Sequence, residues 1–80
     1  MAVPLYGFVK GDTIGLLVVA DEAETVQQLC QRLQEAADIR VAMFSPADII
    51  HDGEVLSSTL TIGQSGLTAL ERIDVAPRNI

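Results

Sequence analysis

The most constraining feature of this sequence is a capped turn followed by one strand, within residues 59–75. Thr61 and Gln64 have the spacing of a capping box, in which each side chain bonds to the other residue's backbone amide at a helix start. Gly66 stands where such a turn ends, because glycine adopts the left-handed conformation that terminates helices. Residues 73–76 then predict a final strand. The segment contains no activated nucleophile, so it indicates a fold rather than a catalytic site.

Two apolar runs near the N-terminus predict a β-hairpin. They cover residues 3–9 and 13–20, and they flank residues 10–12 (Lys-Gly-Asp). Glycine between charged neighbours predicts a tight turn at that point. Residues 16–19 are continuously apolar, which is typical of a strand covered on more than one side.

One amphipathic helix is predicted after this hairpin. Thr25 can act as its N-cap, and Gln28 completes a capping box. Apolar side chains then recur at steps of three or four and form a single stripe: Val26, Leu29, Cys30, Leu33 and Ala37. Polar residues between them, Gln34 included, are expected to face water, and the helix is expected to end near Asp38.

The second half of the chain predicts a further hairpin before the closing segment. Residues 39–45 fit either a short strand or a packed connection, which Pro46 ends. Residues 47–51 predict a strand, Asp52-Gly53 a two-residue turn, and residues 54–56 a short returning strand.

This order of elements is that of a ubiquitin-like β-grasp domain of the α+β class. Residues 1–80 are expected to form one such domain, because a chain of this length has little room for a second. We expect a mixed sheet of four to five strands with one main helix packed across it. The last strand is expected to lie between the two strands of the first hairpin.

Charge and cysteine content narrow the range of functions. The net charge is −6, with only five lysine and arginine residues, which are scattered along the chain. Such a chain repels phosphate backbones and anionic lipids, so neither nucleic acid nor a membrane is an expected partner. The single cysteine, Cys30, excludes an internal disulfide and fits a reducing compartment. No signal peptide is recognisable, and a cytoplasmic location is expected.

Candidate catalytic and metal-binding residues are few. His51 is the only histidine, and without partner ligands it is expected to sit at a strand end with no chemical role. Cys30 lies on the helix stripe, where cysteine packs as a small hydrophobe. The acidic run at residues 21–24 lacks the spacing of a calcium loop and suits a helix start. Residues 76–80 hold no terminal diglycine, so a carrier role is not expected. We predict no catalytic, cofactor-binding or metal-binding residue.

Six segments, in their order and spacing, carry a resemblance to a known family. They are Phe-Val-Lys-Gly-Asp at 8–12, Leu-Leu-Val-Val-Ala-Asp at 16–21, Thr-Val-Gln-Gln-Leu at 25–29, Arg-Val at 40–41, Leu-Thr-Ile-Gly-Gln-Ser-Gly-Leu at 60–67 and Glu-Arg-Ile-Asp-Val at 71–75. Together they resemble the small ubiquitin-like gamma subunit, often called protein B, of bacterial toluene monooxygenase hydroxylases. The resemblance covers nearly the whole chain.

The resemblance implies a non-catalytic gamma subunit of a multicomponent diiron monooxygenase that hydroxylates aromatic hydrocarbons. It implies a hetero-oligomer with the large and medium hydroxylase subunits, in which this chain docks on the large subunit. The diiron centre is then expected in that large subunit and no cofactor in this chain. The alternative is a free-standing ubiquitin-like interaction module, such as an accessory protein of type VII secretion. An enzyme in its own right is disfavoured by the lack of a nucleophile, a base and a metal ligand set.

Five residues are predicted to bind the partner: Tyr6, Phe8, Arg40, Met43 and Phe44. They lie in two segments, residues 6–12 and 40–44, which hold all three aromatic residues and a methionine outside the helix stripe. Aromatic, methionine and arginine side chains are enriched at interface cores. Arg40 stands among apolar residues, where an unpaired arginine is costly to bury and useful at an interface. Phe8 and Phe44 fit equally well as fillers of the core between sheet and helix.

Overall fold

Five strands and two helices make up the part of the chain that the computed structural model describes, residues 2–78. The strands are β1 (Ala2–Val9), β2 (Leu16–Asp21), β3 (Ala47–His51), β4 (Glu54–Val55) and β5 (Arg72–Pro77). The helices are α1 (Val26–Ala37) and α2 (Ile62–Ser65). The segment on which the carrier role was judged, residues 76–80, includes Asn79 and Ile80, which lie outside the described residues. Neither described helix is long and apolar enough to cross a membrane.

The strands form one mixed sheet in the order β2-β1-β5-β3-β4. β1 runs antiparallel to β2 and parallel to β5, and β3 runs antiparallel to β5 and β4. The prediction of a mixed sheet is confirmed. The expected place of the last strand was wrong, since β5 lies between β1 and β3. The two strands of the first hairpin bond directly to each other and leave no room between them.

The first hairpin has a longer loop than predicted, with β2 beginning at Leu16 instead of residue 13. The end of β1 stays paired with β5, because the amide of Lys10 donates to the carbonyl of Val75 at 2.9 Å. The tight turn predicted at residues 10–12 is therefore only the first part of this loop.

Helix α1 begins and packs as the sequence predicts. The Thr25 hydroxyl accepts a hydrogen bond from the Gln28 amide at 3.1 Å, and the Gln28 side chain accepts one from the Thr25 amide at 2.9 Å. The predicted stripe is buried against one side of the sheet. The core is aliphatic, and its largest fully buried side chains are Leu5, Leu29, Leu33, Ile49, Ile62, Ile73, Val26 and Val75.

One polar residue of the helix was wrongly expected to face water. Gln34 is only 4% exposed, and its side-chain oxygen accepts a hydrogen bond from the amide of Phe44. This bond ties residues 38–46, here named the connecting segment, to the helix. The connecting segment is not a strand, and at Phe44 the Gln34 side chain satisfies its backbone amide.

The closing segment and the second hairpin have the predicted local structure. Thr61 and Gln64 form the second capping box, with distances of 3.0 and 3.2 Å. Gly66 ends the turn in the left-handed conformation, with a φ of 83°. Asp52 and Gly53 both have positive φ, 52° and 79°, as a two-residue hairpin turn between twisted strands requires.

Candidate partner-binding surface

Helix α1 covers one side of the sheet and leaves the other side uncovered. Successive strand residues point to opposite sides. Leu5, Gly7 and Val9 are buried beneath α1, so the side chains of Tyr6 and Phe8 point to the uncovered side, here named the open face. The strand pairing places these further side chains on the open face: Leu17, Val19, Ile50, Val55, Arg72 and Asp74.

The part of the open face on β2 is apolar and exposed. Leu17 is 63% exposed and Val19 is 55% exposed. The expectation that residues 16–19 are covered on more than one side is wrong, because the one long helix lies on the other side of the sheet. Tyr6, 43% exposed, is paired directly with Leu17 across β1 and β2, which puts the two side chains in contact range. The sequence analysis did not predict that Leu17 and Val19 are exposed. The signal that could have shown it is a strand with apolar residues on both sides in a chain with one long helix, because one helix covers only one side of a sheet.

Phe8 lies flat on the open face instead of filling the core between sheet and helix. The guanidinium carbon of Arg72 lies 4.2 Å from the centre of the Phe8 ring, within the range of a cation–π contact. Arg72 also pairs with Asp74 at 3.1 Å. A Cβ at Gly15 would lie 2.6 Å from the ring, so only glycine lets the ring lie so close to the loop backbone. Phe8 is thereby held in a fixed position at this surface.

The predicted partner-binding residue Arg40 forms an ion pair within the chain. Its Nη2 lies 2.9 Å from Asp12 Oδ2, and its Nε lies 3.0 Å from both Asp12 oxygens. The hydrogen bond from Arg40 lowers the pKa of the Asp12 carboxyl, and the same bond raises the pKa of Arg40. Arg40 therefore joins the connecting segment to the first loop.

The other two residues of the second segment differ in exposure. Phe44 packs against the core under the connecting segment, whereas Met43 is exposed. The five residues predicted from the sequence therefore lie in two places. Tyr6 and Phe8 lie on the open face, and the other three lie in the connecting segment on the helix side.

His51 joins the end of β3 to the loop before β5. Its Nε2 lies 3.0 Å from Glu71 Oε1, and the Glu71 carboxylate also accepts hydrogen bonds from the amide and hydroxyl of Thr68 at 2.7 and 3.0 Å. The bond from the Thr68 amide is the largest cause of the lowered pKa of Glu71, followed by the Thr68 hydroxyl and His51. Within residues 2–78, no three histidine, cysteine, aspartate or glutamate side chains are grouped so that they could hold a metal ion.

Cys30 is a buried core residue. It lies on the stripe of α1, and burial is the main cause of its raised pKa. A thiol with a raised pKa stays protonated at neutral pH and is a poor nucleophile.

A mixed five-stranded sheet, one long helix on one side and an apolar open face on the other define a ubiquitin-like domain of the β-grasp type. The chain belongs to the family of toluene-4-monooxygenase system protein B (TmoB), whose sequence model matches residues 2–76. This membership confirms the resemblance inferred from the sequence, and the free-standing secretion module is not favoured.

Solved structures agree with this assignment. A chain of the toluene 4-monooxygenase HD complex with the inhibitor 4-bromobenzoate is 26% identical, with a TM-score of 0.89 over 98% of this chain and 100% of that chain. Ubiquitin of Caldiarchaeum subterraneum is 12% identical, with a TM-score of 0.80 over 100% of this chain and 98% of that chain. The UBL domain of Plasmodium falciparum Dsk2 is 21% identical, with a TM-score of 0.74 over 94% and 96%. The last two confirm the ubiquitin-like fold alone. No curated protein sequence matched.

Proposed function

We propose that this chain is a non-catalytic accessory subunit of a toluene monooxygenase-type hydroxylase and docks on its large catalytic subunit through the open face. The observation that carries the proposal is an apolar, uncovered sheet face on a member of the protein B family. The structurally similar chain comes from a toluene 4-monooxygenase complex, which supports the same role in a hetero-oligomer with the large and medium subunits.

The composition of the open face supports docking. Tyr6, Leu17 and Val19 supply exposed apolar area, and exposed apolar patches on small domains mark interaction sites. The acidic side chain of Asp74 on this face is paired with Arg72 at 3.1 Å. Interface cores are depleted of unpaired charge and enriched in aromatic residues and arginine, and this face has both properties.

The connecting segment is proposed as a second contact. Met43 is its exposed apolar side chain, and methionine adapts readily to a partner surface. Phe44 anchors the segment in the core, and Arg40 anchors it to Asp12. In this proposal Met43 contacts the partner, while Arg40 and Phe44 position it.

The residues of this chain do not fit a diiron centre, which we place in the large subunit. Carboxylate-bridged diiron sites in helical proteins take two Glu-x-x-His motifs and two further glutamates from four helices. This chain has a single histidine, and His51 stands on a strand beside Glu71. The chain therefore supplies docking and support, and no step of the oxidation is assigned to its residues.

Co-expression with the large and medium hydroxylase subunits tests the docking surface. Tyr6→Asp, which puts a charge at the centre of the apolar patch, should abolish co-purification, and Tyr6→Phe should preserve it. Thr59→Asp is the matched control, because Thr59 is exposed and its loop bonds to the start of α1, on the other side of the sheet. Met43→Asp tests the connecting segment separately. Full co-purification of a folded Tyr6→Asp variant would exclude the open face as the main contact.

Metal analysis and activity assays test the non-catalytic part of the proposal. The isolated chain should bind no stoichiometric iron and form no hydroxylated aromatic product when the electron-transfer components are supplied. Iron at one equivalent or more, or turnover by the isolated chain, would overturn it.

A further inference from the structure

Strand β2 is an edge of the sheet, and some of its backbone groups face outwards. The amide of Tyr6 donates to the carbonyl of Glu71 at 3.0 Å, so the backbone of Tyr6 faces β5. Its partner Leu17 is therefore in a non-hydrogen-bonded pair of the β1–β2 ladder. The amide and carbonyl of Leu17 point away from β1, towards the free edge, and the alternation places those of Val19 there too.

One side chain covers part of this edge. Nη2 of Arg32, on α1, donates to the carbonyl of Val19 at 2.9 Å. The same guanidinium is held by Glu24, at 2.7 and 2.8 Å. Natural sheet edges are usually protected by proline, lysine, bulges or covering segments. The sequence of β2, Leu-Leu-Val-Val-Ala-Asp, contains neither proline nor lysine. Among the described residues, the side-chain cover of this edge is the hydrogen bond from Arg32 to the Val19 carbonyl.

A shallow groove runs beside the edge, between β2 and α1. One end is lined by Asp21, Glu24 and the glutamines of α1, and the other by Leu16, Leu33 and Ala36 with Glu35 at its rim. Arg32 lines both parts. Three carboxylates therefore surround a groove that holds one cation, and that cation is already paired with Glu24.

We propose that an extended segment of a partner hydroxylase subunit adds to the free edge of β2 as a further strand. Addition of a strand gives affinity through main-chain hydrogen bonds and specificity through alternate side chains. The charges of the groove fit a segment with apolar residues in its middle and lysine or arginine at its ends. On binding, an amide of the segment takes the Val19 carbonyl from Arg32, which stays paired with Glu24. The partner's identity rests on the proposed function, whereas the edge geometry does not.

Hydrogen exchange on the complete hydroxylase tests this inference. The amides of Leu17 and Val19 should exchange quickly in the isolated chain and at least about tenfold more slowly in the assembled hydroxylase. Fast exchange of both amides in an intact complex would overturn strand addition and leave the accessory-subunit proposal standing. Failure of the complex to assemble would instead count against the proposed function. The amides of Leu17 and Val19 could also exchange as slowly in the isolated chain at high protein concentration as in the hydroxylase. That result would show that a second copy of this chain occupies the edge, and it would also overturn the inference.

A matched pair of variants separates the contribution of the Leu17 backbone amide to binding from that of the Leu17 side chain. Leu17→Pro removes the outward amide, which an edge strand tolerates on its solvent side, and Leu17→Ala shortens the side chain but keeps the amide. Leu17→Pro should bind the other subunits about tenfold more weakly than Leu17→Ala. Equal affinities of the two folded variants would contradict the inference. If Leu17→Pro does not fold, hydrogen exchange on the unmodified chain decides the question.

Discussion

Asp12 and Arg40 stand 28 positions apart in the sequence and form a three-contact ion pair, with distances of 2.9 to 3.0 Å. The Asp12 side chain is 1% exposed, whereas Arg40 remains partly accessible. The pair joins the loop after β1 to the connecting segment. The two segments that the sequence indicated separately for partner binding are therefore mechanically linked, and Arg40 has a positioning role before any partner arrives.

The Asp12–Arg40 pair should make the stability of the chain depend on pH. The pKa of Asp12 is lowered in the folded chain, chiefly by the hydrogen bond from Arg40. Its stabilisation is therefore present above the pKa of an unfolded aspartate, about 3.9, and is lost as the pH falls towards the folded value. In urea unfolding at pH 7, Asp12→Asn should have a lower midpoint than the unmodified chain. This difference between the two midpoints should disappear as the medium is acidified below about pH 4. A difference that does not change with pH would show that the ion pair is not its cause.

Gly7 and Leu33 should show a strong coupling in a double-mutant cycle. Leu33 is fully buried, and a Cβ at residue 7 would lie 2.6 Å from its Cδ2. Leu33→Ala should reduce the free energy of unfolding by about 2–5 kcal/mol, and Gly7→Ala should reduce it by about 1–3 kcal/mol through overpacking. The double variant should lose less than the sum, because the new methyl group enters the space that leucine leaves. Strict additivity would argue against this contact, and Gln31→Ala on the exposed side of α1 serves as the control.

Cys30 should resist thiol reagents in the folded chain. Its side chain is buried, and burial raises the pKa of the thiol, so both access and the thiolate fraction are low. Labelling with a chromogenic disulfide at mildly alkaline pH should proceed only as fast as the chain unfolds. The same chain in urea should react at once and provides the control. Rapid labelling without denaturant would place Cys30 outside the core.

Replacing Leu70 by glycine should stabilise the folded chain. It has a φ of 67°, a left-handed conformation that costs a residue with a Cβ about 1–2 kcal/mol. Leu70→Gly should raise the free energy of unfolding by on the order of 0.5 kcal/mol, after the extra entropy of glycine in the unfolded chain is counted. Leu17→Gly, an exposed leucine in a regular strand, should lower it and is the comparison. A loss of stability in Leu70→Gly would mean that the leucine side chain has contacts that outweigh the backbone cost.

Local structure was predictable because it depends on residues within a few positions of one another. The capping boxes Thr25–Gln28 and Thr61–Gln64, the left-handed Gly66 and the Asp52-Gly53 turn all lie where their spacing placed them. Each rests on a side chain that reaches its own backbone or on the conformational freedom of glycine. The periodic stripe of α1 likewise predicted which side of the helix is buried.

The sequence by itself determined the capped elements, their order and the family to which the chain belongs. Only the tertiary structure decided the burial of Gln34, the pairing of Asp12 with Arg40, the place of β5 beside β1 and the exposure of Leu17 and Val19. Each of these depends on which distant segment a residue meets, and the local pattern is the same for either outcome. An apolar strand in particular looks alike whether a second layer of this chain covers it or the surface is left for another protein, because hydrophobic burial depends on area and not on the origin of the covering chain.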